Sequence, residues 1–442
     1  MDDDHRNFPE ATLAILTLRR HKDGVWIRRL VEAIQQHDSD SDDHDVHVSM
    51  MSARVIPEVV VVEDLLSTPF CLSSYDESFT GKVVSSSSSN SSLYSSFGRW
   101  KGLVNRVSDA AEPWEAKAAA SILQLVKQVW KIPVWNGPDA YSLCSHKWCH
   151  HVLFARANLK SPDTVAVLRD IDGDKDKHDE AAMRSVQMLL DMQPPSKLKE
   201  LQYLVKPNAG GFGAGIEKRT IRNKDLLPQT GGASTDGLAI PSQTMPNFSD
   251  RFTLFQRYSK PRNGKIYRVW FLLGQVQCAV ERTVDLEEDG EPHQSPRQQQ
   301  HETSSTSEFT SGCAGGMCQL SSNRTRDGHT MASPTSKPTS RPWAVPEDVV
   351  REIEQQLLPV LPDDAHCGSV EFLYVSQVDT TIINDANNDA SSTQRRLYFD
   401  LNLLSTLPSD QNQSGGSFLA SQLDPWKQLA SAIIDFCYGG KG

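Results

Sequence analysis

The residues with the clearest capacity for chemistry lie in the stretch Leu201 to Ile216, LQYLVKPNAGGFGAGI. Tyr203, Leu204 and Val205 are an apolar, partly β-branched run that predicts a strand. Lys206 closes that run and Pro207 stops it. Four glycines follow within six residues: Gly210, Gly211, Gly213 and Gly215. Without Cβ atoms, such a loop lets backbone N–H groups approach an anion, and a lysine on the preceding strand can reach the same anion. The spacing is neither that of a P-loop, where the lysine follows the glycines, nor that of a helix-opening GxGxxG.

A second group of residues falls further along. Gly368 to Val375 predicts a strand with Glu371 among apolar neighbours, and Leu397 to Leu401 predicts another carrying Asp400, with Asn402 just beyond. Residues two apart on a strand share a face, so Asp400 and Asn402 point the same way. Two carboxylates and an amide oxygen are hard ligands suited to Mg²⁺, with Mn²⁺ as a substitute, and such an ion holds nucleotide phosphates.

The elements that must position these groups begin with a strand at Thr12 to Leu18, a helix from Val25 to Gln36 and a strand at Val59 to Val62, read as buried on both faces. A short strand around Leu103 and Val104 follows, then a helix from Pro113 to Trp130, a strand from Ile132 to Trp135 and the turn Asn136-Gly137-Pro138. This alternation predicts a small α/β domain with a parallel sheet. A helical segment then runs to about Asn158 and brings Cys144, His146, Cys149, His150 and His151 close together. They are spread around one helix without a second ligand pair, which argues against zinc. Asp170 to Glu180 lacks the glycine that a calcium loop needs. Phe252 to Tyr258 predicts a strand, Ile266 to Val280 a hairpin turned at Gly274-Gln275, Glu347 to Leu358 a helix, and Pro425 to Tyr438 a final amphipathic helix.

Polar segments interrupt this plan. The tract from His37 to Val48 reads as a solvated acidic loop, the serine-rich stretch 72–98 and the region 285–341 as disordered insertions, and Asp379 to Ser392 as a polar hairpin loop. At 442 residues and 38% hydrophobic, the chain has material for two or three cores, and its mean hydropathy of −0.45 reflects those inserts. A net charge of −11 argues against a general nucleic-acid or anionic-membrane binder. No run of about 18 apolar residues predicts a spanning helix. Eight scattered cysteines and an acidic N-terminus predict a reducing, cytoplasmic setting.

Taken together, the motifs resemble the ATP-grasp superfamily, and within it the RimK-type carboxylate–amine ligases, over about Val104 to Pro408. NGPDAYSLCSHKW resembles the stretch before the family's first ATP-contacting lysine, and ANLKSPDT the turn after it. YLVKPNAGGFGAGI resembles the phosphate-covering loop with the second lysine, and YFDLN the metal-binding pair. IYRVWFLLGQVQCAVER resembles the hairpin whose arginine faces the transferred phosphate or the substrate.

The resemblance implies an α/β chain. A pre-ATP-grasp-like domain would span 1–135 and a two-lobed ATP-grasp domain 136–408, divided into 136–260 and 261–408. A tail and helix would fill 409–442. It implies Lys147, Lys206 and the four glycines as ATP contacts, backbone at Tyr258 and Ser259 as adenine contacts, Arg268 as the catalytic residue, and Glu371, Asp400 and Asn402 as metal ligands.

A turn at Gly274-Gln275 would set Arg268 opposite Glu281 and leave Arg282 on the other face. Arg257 stands where the family usually has Glu, Asp400 replaces the usual Glu, and Glu371 stands where Asp is common. The implied activity joins a small-molecule or peptide carboxylate to an amine through an acylphosphate, using ATP and Mg²⁺. A small-molecule kinase and a nucleotide-binding regulatory module without turnover are the alternatives. Nothing in the sequence sets the oligomeric state.

Overall fold

The computed structural model describes residues 11–40, 55–67, 99–107, 111–168, 175–192, 200–209, 216–222, 251–284, 340–375, 395–404 and 425–438. The four glycines of the loop, the serine-rich stretch up to residue 98, the insertion from 285 to 339 and the loop Asp379 to Ser392 lie outside them.

The chain is an α/β protein with one parallel sheet and two antiparallel ones. Strands β1 (Ala11–Thr17), β2 (Val55–Val61), β3 (Trp100–Asn105) and β4 (Val134–Trp135) form the parallel sheet in the order β2-β1-β3-β4. Successive residues of β1 face opposite ways, so each face needs its own cover. Leu13 and Ile15 pack against helix α1 (Val25–Asp40), whereas Ala14 and Leu16 share a core with helices α2 (Val62–Ser67) and α3 (Pro113–Gln128).

Helices α4 (Pro138–Cys144) and α5 (Lys147–Arg156) lead into β5 (Thr164–Leu168) and α6 (Lys175–Asp191). Then β6 (Glu200–Pro207), β7 (Glu217–Arg222) and β8 (Phe252–Arg257) complete an antiparallel sheet in the order β5-β8-β6-β7. The third sheet holds β9 (Lys265–Leu272), β10 (Gln275–Thr283), β11 (Ser340–Pro342), β12 (Cys367–Val375) and β13 (Arg395–Asn402) in the order β11-β10-β9-β12-β13. One of its faces, with Val269, Phe271, Val370 and Phe372, is packed into the core beside helix α7 (Glu347–Glu352) and the wider turn after it. The last helix, α8 (Pro425–Tyr438), returns to the parallel sheet and packs beside α1, with the Trp26 and Trp426 rings edge to face at 5.4 Å.

Several expectations are corrected here. Val62 begins a helix rather than ending a strand, and Val59 is 38% exposed because β2 is an edge strand with one flank free. Helix α1 continues through Asp40 into the acidic tract. The segment carrying Cys144 and His151 is two helices, broken at Ser145-His146. Residues 340 and 341, read as the end of the insertion, pair with β10.

The hairpin turns at Leu273-Gly274, one residue earlier than the sequence suggests, with φ of 47° and 80°. Two positive φ angles make the kind of tight turn whose twist suits a hairpin. A bulge at Gln277 then shifts the register, so Arg268 faces Val280 rather than Glu281. Arg282 pairs with Ile266 and therefore lies on the same face as Arg268, not the opposite one. No described helix is long and apolar enough to cross a membrane.

Candidate functional site

Register builds the site. Arg268 on β9 pairs with Glu371 on β12, and Glu371 pairs with Asp400 on β13. Directly opposed residues share a face, so the three form one row across three strands. One step along the same face runs a second row, Trp270, Ser369 and Asn402. The opposite face carries the apolar residues packed into the core, and this division is why Glu371 is buried among apolar sequence neighbours.

Arg268 and Glu371 are 8% and 3% exposed, and the guanidinium Nε donates to Glu371 Oε1 at 2.5 Å. A second guanidinium nitrogen binds the same oxygen. Asp400 meets His150 of α5, with Nδ1 and Oδ1 at 3.3 Å. Burial pushes the Asp400 carboxyl upward. The hydrogen bond to His150 and the charges of His150, Lys147 and Lys206 outweigh that and hold it below the ordinary carboxylate range. Asp400 is thus an anion within the field of both lysines. Asn402 Oδ1 accepts the Leu404 N–H at 2.9 Å, an arrangement that fixes the amide plane.

The lysines come from two elements joined by one residue. Asn208, just past β6 and 3% exposed, accepts the Lys147 N–H on its carbonyl at 2.9 Å and the Trp148 N–H on its side chain at 2.8 Å. The start of α5 is thereby tied to the end of the strand that carries Lys206. Lys206 is 4% exposed, and its Nζ donates to Gln256 Oε1 at 3.0 Å. The Gln256 amide donates to Thr164 Oγ1 at 3.0 Å and faces His151 Nε2 at 3.1 Å. This chain of donors makes His151 Nε2 an acceptor, so the imidazole is neutral.

Burial, then the charges of Lys206 and His150, push the His151 imidazole from 6.5 down to about 2, with Asp400 opposing. The unfolded chain therefore binds a proton below pH 6.5 that the folded chain refuses, and stability falls as pH drops through that range. Below pH 6.5 this one group costs about 1.4 kcal/mol per pH unit. Urea denaturation of wild type and His151→Gln at pH 7 and pH 5 checks it. The wild type should lose about 1–2 kcal/mol more than the variant over that interval, and equal losses would show that His151 is protonated in the folded protein.

The donor set fits a hard divalent cation. Glu371, Asp400 and Asn402 present oxygen atoms from adjacent strands on one face. Ser369, 1% exposed between Glu371 and Asn402 on that face, has a buried hydroxyl with no hydrogen-bond partner. Among the described residues, no cluster of three or more His, Cys, Asp or Glu side chains is arranged to hold a metal.

The resemblance implies backbone adenine contacts at Tyr258 and Ser259. The Tyr258 N–H already donates to the Gln202 carbonyl at 2.9 Å, so only carbonyl oxygens and the Ser259 backbone are left for that role. Arg257 is turned to Asp163, 2.9 Å away, and to the Leu189 carbonyl. The sequence pointed to Lys206, Glu371, Asp400 and Asn402 directly. It did not signal Gln256, His151, Asn208 or Ser369 as parts of the site, because each acquires its role from a distant strand or helix.

No protein-family model matches the sequence, and no curated protein matches it. Solved structures similar to the chain include the D-cycloserine synthetase DcsG, at 14% identity and a TM-score of 0.49, covering 97% of this chain and 100% of that one. Another is the ATP-grasp ligase PsnB complexed with a minimal precursor, at 13% identity and a TM-score of 0.47, covering 97% and 99%. A third is the macrocyclase MdnC bound with precursor peptide MdnA from Microcystis aeruginosa MRC, at 10% identity and a TM-score of 0.46, covering 97% and 99%.

Proposed function

We propose that this chain is an ATP-grasp enzyme of the RimK-like kind, an ATP- and Mg²⁺-dependent ligase that joins a carboxylate to an amine through an acylphosphate. The observation that carries this reading is the row Arg268, Glu371 and Asp400, with Asn402 beside it, lying within the field of Lys147 and Lys206.

In this reading Lys147 and Lys206 hold the nucleotide phosphates as point charges. Gly210, Gly211, Gly213 and Gly215 cover them, and the backbone at Tyr258 and Ser259 borders the base. Glu371, Asp400 and Asn402 hold Mg²⁺ (or Mn²⁺), which supplies positive charge against the phosphates when bound. Arg268 steadies the transferring phosphoryl group. A carboxylate oxygen of the substrate attacks the γ-phosphorus and ADP leaves. The amine nitrogen then attacks the acyl carbon, phosphate leaves, and the amine's surplus proton passes to solvent. None of the site residues is an evident nucleophile, so the protein's task is positioning and charge neutralisation. We place the activity in the cytoplasm, with small-molecule or peptide substrates.

Two contacts favour a nucleotide-binding module without turnover: Glu371 is already held by Arg268, and the Tyr258 N–H by Gln202. Incubation with ATP, Mg²⁺, mixed carboxylates and hydroxylamine separates the readings. The ligase yields ADP, free phosphate and a hydroxamate together. ADP with neither free phosphate nor hydroxamate would mean a hydroxyl acceptor and a kinase. Tight ATP binding with no ADP in any mixture would mean the module.

A further inference from the structure

Helix α5 touches both antiparallel sheets of the site. His151 faces Gln256 of β8 at 3.1 Å, on the sheet that carries Lys206. His150 meets the other sheet at β13, where its Nδ1 lies 3.3 Å from both Asp400 Oδ1 and the Leu401 backbone nitrogen. Lys147 is the first residue of this helix, so the place where α5 starts governs what its ammonium can reach.

That end of the helix is held from outside. An α-helix leaves its first backbone N–H groups without partners of its own, and His146, at the N-cap position, makes no side-chain bond to them. Asn208, 60 residues beyond Trp148, supplies the cap instead. Its carbonyl accepts the Lys147 N–H at 2.9 Å and its side-chain oxygen the Trp148 N–H at 2.8 Å, while the Cys149 N–H donates to the His146 carbonyl at 2.9 Å. The first three donors of α5 are thereby engaged, so attraction for a phosphate is left to the lysine side chains rather than to the helix end.

Asn208 is in turn fixed to Lys206. Pro207 between them has a locked φ and confines the residue before it to extended backbone. Pro207 pairs with Thr253 of β8, and the Asn208 N–H donates to the Phe252 carbonyl at 3.2 Å. Lys206 and Asn208 are therefore the two ends of a stiff arm, roughly 7 Å long. Both ends are buried.

We infer that Asn208 is a positioning residue of the site: it fixes the start of α5 against the arm that bears Lys206, and so sets the separation of the Lys147 and Lys206 ammonium groups. The inference rests on the reading of these lysines as contacts to the phosphates of one nucleotide. Those phosphates are covalently spaced, so two cations already held apart by the right distance bind them without first being ordered.

The experiment is a double-mutant cycle on the full chain, read by calorimetry with ATP and Mg²⁺. Lys147→Met alone should weaken ATP roughly tenfold. Asn208→Ala should weaken it at least fivefold when Lys147 is present and less than twofold in the Lys147→Met background, because a residue that acts by placing Lys147 then has nothing left to place. Asn208→Ser keeps a shorter side-chain acceptor of the kind helix ends favour. It covers the case in which the alanine variant fails to fold, with an expected loss of at least threefold against less than twofold. Without nucleotide, both Asn208 variants should shift the His151 ring resonances in NMR spectra, because the helix that Asn208 anchors carries His151. Equal losses in the two Lys147 backgrounds, unchanged ATP affinity in the Asn208 variants, or unmoved His151 resonances would overturn the inference. Absence of ATP binding by the wild type, or its indifference to Lys147→Met, would remove the nucleotide reading of the lysines and the inference with it. That second failure is recognised without any Asn208 variant, which keeps the two apart.

Discussion

Arg268→Leu is expected to destabilise the fold by about 3–5 kcal/mol, the cost of leaving a buried charge without its partner. The guanidinium and the Glu371 carboxylate are both nearly excluded from water and joined through two nitrogens. Removing the arginine leaves Glu371 on a central strand, with Asp400 as its neighbour across β13. The double variant Arg268→Leu/Glu371→Leu removes both charges and should recover much of the loss, because well-packed apolar residues often match a buried ion pair. Urea denaturation of the two single variants and the double variant reads the coupling. Under the proposed function, ADP release disappears in all three. A cost below about 1 kcal/mol for Arg268→Leu would show a solvated pair of the surface kind, and the row would lose its place at the centre of the site.

Lys206→Met should weaken ATP binding by about 10- to 100-fold, the loss of one charge-assisted contact of roughly 1.5–3 kcal/mol. The methionine keeps the stem in its buried channel and removes the ammonium that Gln256 holds. Stability should change far less than for Arg268→Leu, because a buried cation and one hydrogen bond are lost together. A second readout is independent of nucleotide. Burial is the first cause of the low His151 value and the Lys206 charge the second, so the His151 imidazole should titrate higher in the variant. The acid-dependent loss of stability assigned to His151 should shrink accordingly. Calorimetry with ATP measures the first effect and NMR titration of His151 the second. Unchanged ATP affinity would make Lys206 a structural lysine of the strand end.

Local chemistry in the sequence was enough for most elements. Alternation and β-branching mark β1, β6, β8 and β12, and Pro113 at the head of α3 marks its start. The two-residue spacing of Asp400 and Asn402 determined that they share a face, because that period belongs to the strand itself. The apolar neighbours of Glu371 were likewise enough to predict that it is buried, and it is 3% exposed. Strand β7 and helix α6 were missed: β7 is charged along its length, and the acidic run before α6 hid an apolar stripe at Ala182, Val186 and Leu189.

Register was decided by the tertiary structure. Glycine is the usual residue at positive φ, so Gly274 looked like the first turn position, yet Leu273 takes that conformation as well. The bulge at Gln277 then moves every later pairing by one, which sets Arg268 against Val280 and brings Arg282 to its face. No local pattern encodes a bulge, whose position depends on packing against the neighbouring strands. The network of Lys206, Gln256, His151 and Thr164 depends on the same kind of information. It unites four segments, and the buried polar groups of Lys206 and Gln256 find their partners on other strands and on α5. The residue types and the faces they occupy were set by the chain's local sequence, and which of those faces meet was set by long-range pairing, because only the assembled sheet determines which buried polar groups find partners.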